Sequence, residues 1–406
     1  MQLINNLRKS RYFLIALILG ALANPIKVIA SSDTTHVEHE AEGPLGPNQI
    51  PTPPEHPEFN AGEMIFEHIL DSYDWHLWGE AGETKFIPLP IIIYSKERGL
   101  DVFWSSNFHH GHFAHRGYSL YKKPGEKKFS IGAVNELEHQ RVSKVTFNPE
   151  LTKTLWDFSI TKNVMAIMIS GFLLVFIMIT VARAYVKRKG MAPKGLQSLI
   201  EPLIILIRDD VARPSIGHKY EKFMPYLLTV FFFVLINNLM GLIPFFPGGA
   251  NLTGNIAVTM SLAAITFFIQ MFNTNKNFWQ HVFAMPGIPK AVLIILTPIE
   301  ILGVILRPFV LMVRLFANIT AGHIVALAFI SMIFIFNNTF GLGGAFGISI
   351  FSGLMYIFMG FLELLVAFLQ AYVFTLLSAI YFGAAIEEHH HDTKEHDAHV
   401  EEAALI

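Results

Sequence analysis

Residues 311–323 read LMVRLFANITAGH, and this stretch decides how the whole chain is read. Arg314 stands inside an apolar helical run, with Asn318 four residues on and His323 nine residues on. A charge at bilayer depth costs about 2.5–3.5 kcal/mol or more, so such residues are rare and mark ion or proton paths. The composition around the stretch fits a bilayer. Of 406 residues 52% are hydrophobic, and the mean hydropathy is +0.44, more apolar than soluble domains. A net charge of −2 offers nothing to nucleic acid. With no cysteine, disulfides, thiolate metal sites and cysteine nucleophiles are excluded, leaving oxygen, imidazole and guanidinium chemistry.

Five apolar regions are predicted to span. They run over about 164–185, 223–243, 255–272, 292–321 continuing into IVALAFISMIFIF, and 348–386. The last two exceed the ~20 residues of a perpendicular crossing, so they are expected to form a long, tilted hairpin. LQSLIEPLIILIRDDVARP, between the first two, is interrupted by Glu201, Arg208, Asp209 and Asp210 and is expected to lie along the interface. The segment joining those spans holds Arg183, Lys187, Arg188, Lys189, Lys194, Arg208, Arg213, Lys219 and Lys222, whereas PFFPGGANLTG and NNTFGLGGAFG have no Lys or Arg. The positive-inside rule then runs the chain from an exported N-terminus to a cytoplasmic C-terminus.

Ahead of the spans, Arg8, Lys9 and Arg11 precede the apolar run YFLIALILGALA, too short to cross comfortably. Residues 1–30 therefore read as a secretory signal, with an uncleaved anchor as the alternative. Five crossings agree with an exported mature N-terminus. Residues 31–57, acidic and rich in His and Pro, read as a disordered linker. Residues 58–150 are expected to form a small extramembrane domain of mixed α/β character. MIFEHILDSYDWHLW reads as a short amphipathic helix, KFIPLPIIIYS and GLDVFWSSNF as strands, and HRGYSLYKK as a candidate third. The membrane part covers 155–388, and 389–406 form a charged tail. The histidine clusters FHHGHFAH and EEHHHDTKEH read as solvated segments rather than metal sites. The fold class is thus an all-α polytopic membrane protein with a mixed exported domain.

Polar residues in the last two spans fall in stripes. At about 100° and 1.5 Å per residue, Arg307 lies about 20° from Arg314, and Glu300 and Asn318 about 40° to either side. Glu300 is roughly 21 Å from Arg314 along that helix. His323 is nearly opposite on a straight helix, so it joins only if the helix bends or a partner reaches it. Arg307, followed by Pro308, has the option of snorkelling to the interface. In the last span Glu363, Gln370 and Tyr381 share a face within about 20° over roughly 27 Å. Structural salt bridging is the plainer reading for the charges and packing glue for Asn318 and Gln370; a shared stripe favours a path.

These residues resemble subunit a of F-type ATP synthase, the stator half of a membrane proton channel. The family motif RLFxNxxAGH is matched from Arg314 through Asn318 to His323. IEILGVILRPFVLMVR resembles the penultimate helix, with Glu300 fourteen residues before the arginine, and ELLVAFLQAYVFTLLSAIYF the last helix, with Glu363, Gln370 and Tyr381. NNLMGLIP and WDFSITKNVM also resemble family segments, and the likeness covers about 155–388. Some members place an acid where His323 stands and a histidine where Glu363 stands, which implies that the two are neighbours. Gly241 occupies a position that is acidic in some members, so that acid's role does not transfer.

The resemblance implies a rotating c-subunit ring, each subunit bearing a carboxylate that Arg314 faces, with Glu363, His323 and Asn318 lining an outer half-channel. Glu300 and the Tyr381 end of the last helix are implied for the inner one. It further implies peripheral stalk b subunits, the rest of the F1F0 complex and the lipid bilayer of a bacterial inner membrane as partners. No catalytic residue, cofactor or metal is implied. Na⁺ in place of H⁺ remains open. A stand-alone cation transporter would show inverted repeats, and an embedded hydrolase would need paired aspartates, a metal motif or a serine with a base; neither pattern is visible.

Overall fold

The computed structural model describes residues 61–78, 85–123, 126, 128–142, 145–243, 246–283 and 288–386. The signal segment, the linker and the charged tail with its histidines lie outside these residues. The chain begins with helix α1 (Ala61–Ile69) and strands β1 (Asp74–Trp78), β2 (Lys85–Pro88), β3 (Pro90–Ser95) and β4 (Gly99–Trp104). Strands β5 (Phe113–Ala114), β6 (Tyr118–Lys122), β7 (Phe129–Ala133) and β8 (Gln140–Arg141), helix α2 (Pro149–Lys153) and strand β9 (Trp156–Asp157) follow. Pairing is antiparallel throughout: β1–β2, β4–β3–β9, β5–β8 and β6–β7.

The mixed α/β character is present, with two differences from expectation. The amphipathic helix stops at Ile69, and Asp74–Trp78 is a strand, because these residues pair with β2 from Asp74↔Pro88 onward. Strand β9 adds to the edge of β3 through Tyr94↔Trp156, so the sheet takes in residues beyond position 150. Its core holds Tyr73, Ile91, Ile93, Phe103, Phe108, Tyr118, Leu120 and Ile131; alternation along β3 points Ile91 and Ile93 inward. In the FHHGHFAH segment, His109, Phe113 and His115 pack their rings against His139. Burial, then the neighbouring His139 and Arg116, hold His115 below the usual imidazole range. Among the described residues no group of three or more His, Cys, Asp or Glu is placed to hold a metal.

The membrane part is helical. It comprises α3 (Lys162–Lys187), α4 (Leu196–Leu206), α5 (Tyr220–Leu242), α6 (Ile256–Phe272), α7 (Lys276–Phe283) and the long α8 (Lys290–Ile386). Helix α6 starts on Asn255, whose side chain accepts from the Ala257 N–H, an ordinary N-cap. Three stretches are long and apolar enough to cross a membrane, 162–187, 196–242 and 292–386, and α6 with α7, bent by 103°, makes a fourth candidate. Several apolar helices of this kind are what a polytopic membrane protein requires. Helix α4 continues through a π-turn (Ile207–Ala212), where Arg208 and Arg213 both pair with Asp209. Asp209 thus offsets two of the cations in the interrupted run.

Helix α5 sits at the centre, with Phe223 to Met240 buried except at Pro225 and Leu239. Helix α3 packs on it, with Leu174, Met178 and Val181 in the shared core and Ser170 and Gly171 buried on the same side. The small residues on that stripe let backbones approach, which replaces the hydrophobic drive that lipid lacks. Helix α8 reverses at Gly341 (φ 68°, ψ −166°), a conformation open to glycine, so its two arms form the expected hairpin.

Candidate functional site

The first hairpin arm has two faces around Arg314. Leu311, Met312, Leu315 and Ile319 are buried, the first three within the α5-centred core, at the four-residue spacing of one helix face. Val310, Val313, Arg314, Ala317, Asn318 and Ala321 are exposed on the other side. Arg314 thus lies open among apolar and small neighbours, with Asn318 one turn away. Among the described residues its guanidinium has no ion-pair partner.

His323 points elsewhere, and a partner does reach it. Its Nδ1 lies 3.6 Å from Glu363 Oε1 on the second arm, both side chains being about 15% exposed (15% and 14%). The helix need not bend to recruit His323, because the hairpin supplies the carboxylate. Gly322 permits this approach: a Cβ there would sit 2.9 Å from Glu363 Oε1. On the imidazole's other edge, a Cβ on Gly241 of α5 would stand 3.7 Å from His323 Nε2. Glu363 Oε1 is itself buried without a hydrogen-bond partner among the described residues, leaving it free to accept from water.

The remaining predicted residues fall toward the other end of the hairpin. The Arg307 guanidinium lies 5.8 Å from the Phe278 ring centroid and 5.6 Å from that of Tyr381. This sandwich holds the cation in the protein through ring contacts. Tyr381 is half-buried and within electrostatic reach of both Arg307 and Arg314, so it links the two stripes. Glu300 is half-buried on the first arm, and Gln370 is buried on the second. His323–Glu363 and Arg307–Tyr381 are thus separate junctions of the arms, with Arg314 on the open face between them in sequence.

Sequence reasoning missed several residues here. Asn238 in the quoted NNLMGLIP donates from Nδ2 to the Ala367 carbonyl at 3.1 Å and accepts from Thr253 Oγ1 at 2.7 Å, tying α5 to the second arm and to the loop before α6. Lys162 is 6% exposed yet acts electrostatically on His323. A lysine and an asparagine opening an apolar run were its only signal. Gly383 was also unmarked: a Cβ there would lie 1.9 Å from the Ser215 carbonyl oxygen, so the second arm touches backbone to backbone.

Residues 164–383 match the family described as ATP synthase A chain, and residues 64–158 match a domain of unknown function (DUF8433). The chain is 47% identical over 262 residues to "ATP synthase subunit a 2" of Chlorobaculum tepidum, covering 63% of this chain and 70% of that one. It is 41% identical over 254 residues to "ATP synthase subunit a" of Chloroherpeton thalassium, covering 61% and 73%. With "ATP synthase subunit a" of Anaeromyxobacter sp. the identity is 37% over 245 residues, covering 58% and 56%.

Proposed function

The chain belongs to the ATP synthase A chain family, and from that premise we propose that it is the ion-translocating stator subunit of the F0 sector. It conducts ions against a rotating c-subunit ring in a bacterial inner membrane and does no covalent chemistry itself. Peripheral stalk b subunits and the rest of the F1F0 complex are its other partners. The proposed topology has five crossings, α3, α5, α6 and the two arms of α8, with α4 along the interface.

The observation that supports this reading most is the open position of Arg314. A guanidinium stays protonated at any physiological pH. Facing lipid it would be costly, so the exposed apolar face around it calls for a partner that brings a negative group. A ring carboxylate meets that need. The fixed cation favours its ionised form, so an arriving carboxyl releases its proton there. The ionised group cannot re-enter lipid until it is protonated again. Because Arg314 itself gives up no proton, it also blocks direct leakage between the two access routes.

His323 and Glu363, with Asn318 nearby, would form the outer route, since an imidazole and a carboxylate 3.6 Å apart need only a small approach to share a proton. Glu300 and Tyr381, with Gln370 along the same stripe, would belong to the inner one. The membrane potential supplies about 2.3 kcal/mol per charge per 100 mV. Protons are the favoured ion. A Na⁺-translocating version is the second reading, because the ring carboxylate chooses the ion.

Arg314→Ala is expected to reduce ATP-driven pumping of the assembled complex to background while passive leakage persists. Normal pumping by that variant would sink the reading. Glu363→Gln should slow pumping less severely. Exchange of the pair, His323→Glu with Glu363→His, should recover more than the two single changes predict together. Pumping by the double variant no better than by the poorer single one would show that the two residues do not work as a unit. Dependence of pumping on added Na⁺ decides the ion.

A further inference from the structure

The exported domain joins the membrane part close to the His323–Glu363 pair. Helix α1 packs on the hairpin, and Ile69 shares a cavity of about 10 Å³ with Gly241, Gly249, Asn251 and His323. That is about the space of one water molecule. Asn251 is 5% exposed, and its Oδ1 accepts from the Gly254 N–H at 3.0 Å. Its Nδ2, however, is buried with no acceptor among the described residues. A buried amide nitrogen left so is costly unless water meets it.

Among the described residues, other buried polar atoms without partners occur at the start of α3 and beside His323. Thr161 Oγ1 and Asn163 Oδ1, where α3 meets the exported domain, and Glu363 Oε1, beside His323, are buried without partners. The cluster of Trp75, Ala166 and Ala250 brings the start of α3 beside the loop that holds Asn251. Unsatisfied polar atoms thus occur at the domain seam, at Asn251 in the cavity and at the acid–imidazole pair, each a place where water would be held. Charges stand at the seam as well. Asp71 accepts from the Asn163 N–H at 3.0 Å and pairs with Lys128 at 3.7 Å, while Lys162 acts electrostatically on both Asp71 and His323.

The domain is also clamped in place. Trp75, 1% exposed, donates from Nε1 to the Gly248 carbonyl at 3.1 Å and stands edge-on to Phe246 at 5.2 Å between ring centroids. The Lys162 N–H donates to the Ser72 carbonyl at 2.8 Å. A loosely tethered appendage would not share buried hydrogen bonds with a transmembrane helix and its neighbouring loop.

The geometry points to an entrance cap: the translocated cation reaches His323 and Glu363 along a hydrated seam between the exported domain and the membrane part, past Asn251. This inference rests on the proposed ion-conducting role. It assigns the domain of unknown function a place on the ion path, as one wall of the entrance, with Ile69 as its lining residue.

The chain has no cysteine, so a single introduced cysteine is its one thiol, and the complex with the unaltered chain, treated alike, gives the background from other subunits. Whole complex carrying Asn251→Cys or Ile69→Cys is treated in detergent with a small, positively charged methanethiosulfonate, reconstituted, and assayed for ATP-driven pumping before and after. Labelling is expected to slow pumping by about tenfold or more, as a bulky cation fixed in a narrow route should. The same reagent on Glu138→Cys, at the domain's exposed surface, should label without that loss. Labelling of Asn251→Cys and Ile69→Cys with pumping unchanged overturns the cap, as does full pumping with both thiols unreactive. If Asn251→Cys does not assemble, Ile69→Cys decides. Arg314→Ala in parallel separates the two readings: its normal pumping overturns the ion-conducting role, whereas its loss beside unaffected labelled variants overturns the cap alone.

Discussion

Helix α5 and the α8 hairpin are alike in composition and opposite in surroundings. Their most apolar windows have mean hydropathies of 1.8, in the stretch 196–242, and 2.3, in 292–386, yet 89% of the first is buried inside the protein and only 11% of the second. The difference teaches that hydropathy reports the absence of water and not the identity of what replaces it. Around α5 other helices do so. Along that part of the hairpin, lipid or a partner must, and Arg314 lies on the exposed side of a neighbouring stretch whose other side, Leu311, Met312 and Leu315, is covered. A charge on α5 would have to be satisfied inside the subunit, whereas Arg314 on the hairpin is exposed, with no ion-pair partner among the described residues.

This contrast can be broken or sharpened by substitution. The largest effect is expected at Gly383, where a Cβ would lie 1.9 Å from the Ser215 carbonyl oxygen. Gly383→Ala must push two backbones apart, at or beyond the upper end of the ~1–3 kcal/mol of overpacking, and the assembled subunit should be scarce in membranes; wild-type abundance would contradict that contact. Phe231→Ala, at a fully buried position of α5, is expected to lose about 3 kcal/mol of packing, read by denaturant titration in detergent. Asn238→Ala, which breaks the links to Ala367 and Thr253, should cost about 1–2 kcal/mol in the same titration. At the small end, Ile357→Ala on the exposed hairpin face should change subunit stability by less than about 0.5 kcal/mol but lower co-purification of the ring. Equal destabilisation by Phe231→Ala and Ile357→Ala would erase the comparison.

Much of the scaffold was readable residue by residue. The start of α6 at Ile256 follows from Asn255 as a cap, and the arms' lengths follow from apolar runs interrupted by Gly341. The strand at Asp74–Trp78 was not readable as such. Its residues continue an amphipathic helix on paper, and only pairing with β2 makes them extended. Strand β7 and the pairing of β9 were missed for the same reason: short strands are defined by partners distant in sequence. At the site, the stripe through Arg314 and Asn318 was visible because both lie on one helix within one turn. The relation of His323 to Glu363 was implied only by resemblance, Gly241 was read only as lacking an acid that some members carry, and Gly322, Asn251 and Lys162 drew no reading of their own as parts of the site.

By itself the sequence determined which residues are ionisable, which stretches avoid water, and that Arg314 and Asn318 share a face, since these depend on side-chain chemistry and on 3.6 residues per turn. Tertiary structure decided the rest. Folding the hairpin at Gly341 turns His323, on the wrong face of its own helix, into a partner for Glu363 forty residues away. Packing around α5 decided that Leu311 and Leu315 are covered and Arg314 is not. Seating α1 and Trp75 against the loop before α6 placed the N-terminal α/β domain beside the imidazole. Periodicity orders residues within an element, but contact between elements depends on where the backbone can approach, and glycines at 322 and 383 set that distance.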